Sequence, residues 1–374
     1  MPVDLAVVGQ DPRFGWGARA QLDAFWSASL ELDRRPELLY IAHPTLSDRD
    51  PGGYRDPGVR GLVRHVDAAN QLTGGLRLAL RARAARSQWV VATTASHGWA
   101  AHRSGRPYAA WIATSLDDEW RGRRLWLSPS RRLALAVNAP VLRRLERTTL
   151  RGARIVCATS PTARAGIAAA AGIDPERVRV LPIPVDLDRF TPLPEGEWRE
   201  NLARPVLAFV GRGDDPRKNV GLLLDALPLI RRRVPEARLL LVGRPPAGPL
   251  PEAVHAAGFV DSVGDAIRGA ALLVVPSRQE GFGLLAAEAL ACGVPVLSTP
   301  CGGPEEMIRR SGGGRVLESL EAEELAEAAA ELLEAPEELA AMRTRGRVYV
   351  EAELAPSRFR QRLSQLFQEL DDDA

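Results

Sequence analysis

Three side chains hold the chemistry this sequence displays most openly: the carboxylates Glu280 and Glu288 in "RQEGFGLLAAE" and the ammonium of Lys218 in "VGRGDDPRKNV". Lys218 is the only lysine in a chain whose Lys and Arg together number 49. In so arginine-heavy a composition lysine has given way wherever the exchange is harmless. Lys218 is therefore either a chance survivor on a solvated turn or a position where a guanidinium will not serve. A guanidinium is a broad planar fork, whereas an ammonium is a compact, mobile point charge that suits phosphate.

The setting of the glutamates points to an anion with hydroxyls attached. "VVPSRQEGFGLLAAEALACGVPV" predicts a buried strand over Ala271 to Pro276, a loop over Ser277 to Gly283 and a helix beginning at Gly283 or Leu284. Loops at strand C-terminal ends line the ligand crevice of open α/β sheets. Gly281 and Gly283 let backbone approach a ligand, and the N–H groups of a helix start favour negative charge. Glu280 projects from the same loop, and Glu288 lies about one turn into the helix. A ligand needing both anion-binding amides and a hydroxyl-binding carboxylate is a nucleotide-sugar. The plainer alternative is a glycine-rich turn with two solvated glutamates.

The elements that must position these groups repeat a strand–helix rhythm. "VDLAVVG", "ELLYIAH", "WVVATT", "YAAWIATS" and "ARIVCATS" are apolar runs separated by helical stretches, which predicts a parallel sheet covered by helices. The rhythm breaks in the proline-rich "VRVLPIPVDLDRFTP", read as an interdomain connection over Leu181 to Pro194. It resumes with strands in "PVLAFVG", "ARLLLVG", "ALLVVPS" and "VPVLSTP", and with a helix after Lys218 for which Asp214 or Asp215 can cap and Pro216 suits the first turn. Two α/β layers in one chain predict twin Rossmann-like domains facing across a cleft, residues 1–183 and 184–350, with a final helix over 351–374 returning to the first. The charge divides with them: residues 1–190 carry 28 basic and 18 acidic side chains, net +10, and residues 191–374 are net −8.

At this point the sequence resembles a known family. Glu280 and Glu288, with seven residues between them, match the E-x7-E signature of the retaining GT-B glycosyltransferases of family 4. "FVGRGDDPRKNVGLLLDAL" is similar to that family's Gly-Arg…Lys-Asn segment, "LLLVG" and "GFVDS" to the strands flanking its base pocket, and "CGGPEEMI" to the loop and helix after its next strand. The likeness covers roughly Arg154 to Val316 and is weak before residue 150. It implies the GT-B fold and transfer of a hexose from a UDP- or GDP-sugar to a hydroxyl of a glycan, lipid-linked or small-molecule acceptor, with retention and without a metal or other cofactor. It implies that Arg212 and Lys218 meet the donor diphosphate, that Glu280 contacts the donor sugar, and that Glu288 holds ribose hydroxyls. Gly211, Gly243, Phe259 and Val260 would border the donor, and backbone from Gly281 through Phe282 and Gly283 to Leu284 would hold phosphate or sugar hydroxyls.

The acceptor side is sparser. "GQDPRFGWGAR" places Gly15 and Gly17 in a turn where donor phosphate could approach, and Trp16 where a ring could stack on an acceptor. "YAAWIATSLDDEW" offers Thr114, Ser115, Asp117 and Asp118 where the family commonly has histidine, and His97 in "TTASHGWAAH" is the nearest imidazole and the candidate polar catalytic residue on that side. The basic segment 121–154 reads either as a solvated arginine face or as a surface docking on anionic lipid, and no nucleic-acid-binding module accompanies it. Cys157, Cys292 and Cys301 are scattered without metal spacing and are expected as buried small hydrophobes. No signal-peptide pattern opens the chain and no run of about 18 apolar residues occurs, so a cytoplasmic protein is expected. Competing readings are a GT-B hydrolase, epimerase or phosphorylase, a catalytically silent partner subunit, and a dehydrogenase, for which "GRGDDPRKN" lacks the third glycine.

Overall fold

The computed structural model describes residues 5–9, 16–41, 67–85, 87–123 and 127–372. Met1–Ile183 together with Pro356–Ala374 form one compact unit, and Pro184–Ala355 form a second. In the first, β1 (Leu5–Gly9) leads through α1 (Trp16–Glu31) to β2 (Pro36–Leu39), then α2 (Asp67–Ala82) and β3 (Ser87–Ala92). A 3-10 turn at Ala95–Gly98 and α3 (Trp99–Ser104) precede β4 (Ala109–Ile112), α4 (Leu116–Arg123) and the long α5 (Pro129–Gly152). The chain then runs through β5 (Ile155–Ala158), α6 (Pro161–Ala171) and β6 (Val178–Val180). The six strands pair in parallel in the order β2-β1-β3-β4-β5-β6. Their continuous apolar runs follow from burial on both faces: every residue of β1, β3, β4 and β5 is buried.

The second unit opens with α7 (Glu195–Asn201), β7 (Val206–Arg212), α8 (Val220–Arg233), β8 (Arg238–Arg244) and β9 (Val254–Gly258). It continues through α9 (Val263–Ile267), β10 (Leu272–Val275), α10 (Leu284–Ala291) and β11 (Val296–Ser298), then α11 (Gly303–Ser311) and β12 (Gly314–Val316). The helices α12 (Ala322–Leu333) and α13 (Pro336–Glu353) close it. Its parallel sheet is ordered β12-β11-β10-β7-β8-β9. Strand order reverses between β7 and β10, and ligands of open α/β sheets bind beyond the strand ends at such a switch point.

The last helix, α14 (Pro356–Asp372), belongs to the first unit. Its Phe359 and Phe367 stack on Trp111 and Trp89, with ring centroids 5.1 Å and 5.4 Å apart, and Asp371 takes Ser87 and Arg34. The second unit runs to Ala355 and not to residue 350 as the sequence suggested. The reason is that α13 continues to Glu353, and the Leu354 carbonyl accepts the Val185 N–H at 2.8 Å, closing the unit's end on its start. Pro356, which lacks an N–H to continue the helix, marks the break. The three cysteines are free and buried, as expected.

Candidate functional site

The loops that follow β7 and β10 meet at the switch point, and their meeting is built from backbone as well as charge. At the strand ends Gly211 pairs with Gly243, where φ is +148° and +102°. A Cβ on Gly243 would lie 2.3 Å from the Gly211 carbonyl oxygen, so only glycine fits. Residues 213–219 form a turn and not the start of a helix. Neither Asp214 nor Asp215 caps α8, as the sequence suggested: Asp215 accepts the Arg217 N–H at 3.0 Å within the turn, and the helix begins at Val220 after Asn219, whose φ is +52°. This tighter turn carries Lys218 across to the β10 loop. The Arg217 carbonyl accepts the Arg278 N–H at 2.9 Å, and Arg278 donates to Asn219 at 3.1 Å.

Between the two loops Lys218 Nζ donates to Glu280 Oε1 at 2.7 Å, and the Ser277 hydroxyl donates to the same oxygen at 2.7 Å. The lysine and glutamate side chains are 16% and 12% exposed, enough shelter to make the pair matter. Burial alone would raise the Glu280 carboxyl. The charges of Lys218 and Arg217 and the hydrogen bonds from Lys218 and Ser277 outweigh it and hold the group below its ordinary value, hence ionised. The backbone is fixed as well: Glu280 N–H donates to the Cys301 carbonyl at 2.7 Å and bridges Gly302. Ser277 is held by the Thr299 hydroxyl, which donates to its carbonyl. Both donors fall on Oε1, leaving Oε2 to accept from a ligand.

Helix α10 starts where the sequence placed it, at Leu284 after Gly283. Gly283 has φ +82°, and a Cβ there would strike Pro304 Cγ at 2.5 Å, so packing against α11 explains this glycine without a ligand. Ala286 and Ala287 N–H groups close onto the Gly283 carbonyl, and the amides ahead of them are those a helix start leaves without an internal acceptor. Glu288 lies a turn into the helix and is half-buried. Burial pushes its carboxyl up to about 7, with the Arg189 charge pulling the other way.

Arg212 is differently placed from Lys218. It is 61% exposed and grips Asp214 through two contacts of 3.1 and 3.2 Å; Arg244 takes the same carboxylate at 3.1 Å. Two guanidinium groups thus share one carboxylate at the ends of β7 and β8, leaving one net positive charge. The hydrogen bond from Arg212 is the main cause that holds the Asp214 carboxyl below its usual range. Strand β9 ends at Gly258, so Phe259 and Val260 lie just beyond it and the Phe259 ring is 67% exposed.

In the first unit His97 sits in the 3-10 turn after β3, its Nδ1 3.3 Å from the Thr94 carbonyl. Asp117 lies in the first turn of α4 and pairs with Arg143 at 2.7 Å. Gly17 is inside α1, and a Cβ there would meet nothing within 4 Å, so close approach does not require glycine at that position. Gly15 and the Trp16 side chain lie outside the described residues. Sequence reasoning missed Ser277, Thr299, Arg217, Arg244 and Asp214 as parts of the site. Ser277 stood three residues before Glu280 at the end of a strand, a position from which a hydroxyl can reach back; the others carried no local signal.

Residues 204–335 match the family described as glycosyl transferases group 1. The chain is 36% identical over 189 residues to D-inositol 3-phosphate glycosyltransferase of Segniliparus rotundus, covering 45% of this chain and 42% of that protein. This match thus spans less than half the relative's length. Over 367 residues the chain is 29% identical to a GDP-mannose-dependent alpha-(1-6)-phosphatidylinositol monomannoside mannosyltransferase of Mycobacterium tuberculosis, covering 90% and 83% of the two. Among solved structures, sucrose-phosphate synthase of Thermosynechococcus elongatus superposes with a TM-score of 0.80 at 19% identity, covering 99% and 100%. Anabaena HepE in complex with UDP gives 0.75 at 18%, covering 98% and 100%. The chain thus has the GT-B fold, and its residues 204–335 carry the glycosyl transferases group 1 pattern, with Lys218, Glu280 and Glu288 inside it.

Proposed function

We propose that the chain is a retaining, metal-independent glycosyltransferase that moves a hexose from a GDP- or UDP-sugar to a hydroxyl of an inositol-bearing acceptor. The observation that carries this reading is the Lys218–Glu280 pair, held between two loops at the switch point of a Rossmann-like sheet. Glycosyl transfer expels a nucleoside diphosphate, so negative charge grows on the departing phosphate. Lys218, with the Arg212–Arg244 pair at the neighbouring strand ends, supplies positive charge there, an arrangement that can lower a barrier by several kcal/mol. The amides at the start of α10 offer further donors to phosphate or sugar oxygens. Glu280 Oε2 accepts from the sugar, and Glu288 accepts from the ribose. Retention follows if the departing phosphate takes the acceptor proton on the face it leaves.

The inositol-bearing acceptor and GDP-mannose as the first donor to try are supported by the names of the Segniliparus and Mycobacterium relatives. A lipid-linked acceptor fits the surface of the first unit, where Leu133 and Val137 of α5 are 66% and 68% exposed beside Arg131 and Arg132. No described helix is long and apolar enough to cross a membrane, and contact through this face would be peripheral. His97 and Asp117 remain the candidates for orienting the acceptor hydroxyl.

The test is a calorimetric and thermal-shift panel of UDP, GDP, ADP, dTDP and their sugars on wild type, Lys218→Ala and Glu280→Ala. Nucleoside diphosphate release with D-inositol 3-phosphate or a phosphatidylinositol mannoside as acceptor follows. At a hundredfold excess over Kd a ligand should stabilise the protein by about 2.7 kcal/mol. Binding of one nucleotide family, lost in Lys218→Ala, supports the reading; a wild type that binds none of them refutes it.

A further inference from the structure

The first unit contains a buried carboxylate that none of the chemistry above employs. Glu146, on the inward face of α5, is 2% exposed. Its Oε1 accepts the Leu116 N–H at 3.0 Å, and the Ala95 N–H lies near enough to favour the charged carboxylate. Leu116 is the first residue of α4 and Ala95 the first of the 3-10 turn after β3. Both are helix-start amides, which their own segments leave without acceptors. The same face of α5 repeats the device two turns earlier, where Asn138 Oδ1 accepts the Ala68 N–H at the start of α2 at 3.0 Å. Three residues after Glu146, Thr149 fixes the spacing: a Cβ on Gly98 would lie 2.5 Å from Thr149 Cγ2, so the 3-10 turn rests directly on α5.

We propose that Glu146 is a positioning residue for the acceptor side, capping α4 in trans from the helix on which the 3-10 turn rests, so that the turns bearing His97 and Asp117 move as one. The proposal rests on the reading of those turns as acceptor-binding. Deletion of the carboxylate orphans the buried Leu116 amide and removes the acceptor facing the Ala95 amide, a cost that falls on both loops. From α4, Asp117 and Glu119 set like charge against Glu146. On α5, Arg143 is drawn out to Asp117 and Arg147 to the Ala170 carbonyl. In the 3-10 turn His97 is held by Thr94, on α3 His102 lies against Tyr108, and on α6 Arg164 pairs with Glu176. Burial, the largest influence, lifts the Glu146 carboxyl to about 7 against the pull of the two amides. The cap therefore passes between charged and neutral near neutrality.

The experiment compares wild type, Glu146→Gln and Glu146→Ala by hydrogen exchange over residues 93–98 and 113–118 from pH 5.5 to 8.5. KM values for GDP-mannose and for D-inositol 3-phosphate are measured alongside. Glutamine keeps one acceptor oxygen but cannot ionise. Expected are joint loss of protection in both segments in Glu146→Ala and recovery of protection in Glu146→Gln with its pH dependence flattened. The acceptor KM should rise by about tenfold in Glu146→Ala while the donor KM holds. Loss confined to one segment, or a Glu146→Gln profile that titrates like wild type, overturns the proposal. If Glu146→Ala does not fold, the wild type and glutamine profiles decide alone. Should the protein bind no nucleotide-sugar, the functional reading fails while the exchange data still judge the clamp.

Discussion

Glu288 yields a prediction in which affinity and stability move in opposite directions with pH. Its carboxyl stands at about 7 in the folded protein against an ordinary 4.5, because burial disfavours the charge more than Arg189 restores it. A carboxyl raised on folding binds more protons in the native than in the unfolded state, so its contribution to stability falls as pH climbs from about 4.5 through 7. The full difference is about 3 kcal/mol, and it burdens the unliganded protein at pH 8. Glu288→Gln removes that burden and should raise the midpoint of urea unfolding at pH 8 while leaving it nearly unchanged at pH 5. Ribose hydroxyls, in contrast, bind the ionised carboxylate better. Affinity for a nucleotide-sugar should therefore weaken below the transition, about tenfold at pH 6 and about thirtyfold at pH 5.5 relative to pH 8. A nucleotide-sugar is the right probe because its diphosphate has no terminal monoester to titrate in the same range. In Glu288→Gln the affinity should be lower and flat with pH. A mutant that keeps the wild-type pH dependence of binding would remove Glu288 from the nucleotide site, and one with no gain in stability at pH 8 would show that the carboxyl is not raised.

Three further outcomes follow from the geometry. Lys218→Ala leaves the Glu280 charge sheltered and unpaired and should cost about 3 kcal/mol, whereas Lys218→Ala with Glu280→Gln should cost clearly less than the two single changes added; strict additivity in a urea-unfolding cycle would mean the pair is solvated. Gly243→Ala must place a Cβ 2.3 Å from the Gly211 carbonyl at a φ of +102°, so a loss of about 2 kcal/mol or more, with loss of nucleotide response, is expected by denaturation and calorimetry. Removing residues 356–374 uncovers Trp89, Trp111 and Phe25, which α14 buries, and should yield aggregated protein, measured by light scattering and the soluble fraction after expression.

What was legible in the sequence was whatever is local. The parallel strands announced themselves as apolar runs because both faces of each sheet are covered, and the loop between β10 and α10 could be bounded to within a residue from "PSRQEGFGLL". The start of α8 was misread because Asp214, Asp215 and Pro216 are helix-start residues by type. Their side chains are instead committed to Arg212, Arg244 and the backbone of a turn, and tertiary contacts override such preferences. β12 escaped notice because three residues in a glycine-rich stretch carry no period. Ser277 and Thr299, 22 positions apart, converge only once β10 and β11 are paired, and Glu146 shows its purpose only when two loops from other strands arrive at it. Such convergence is a property of topology, and one sequence without its fold does not contain it in readable form.

The sole lysine can now be given a physical reason. Lys218 and Ser277 both place their donors on one oxygen of Glu280, each at 2.7 Å. A guanidinium meeting a carboxylate favours the side-on arrangement that engages both oxygens, as Arg212 does on Asp214 only a few residues away. At Glu280 that geometry would consume Oε2, the one oxygen left to a sugar hydroxyl, and would displace Ser277 or compete with it. An ammonium neutralises the carboxylate from one side, keeps it ionised and leaves the other side open. It can also swing on its flexible stem towards a diphosphate without surrendering a planar fit. In a chain that has turned to arginine at every other basic position, the residue retained is the one whose charge has to occupy a single point.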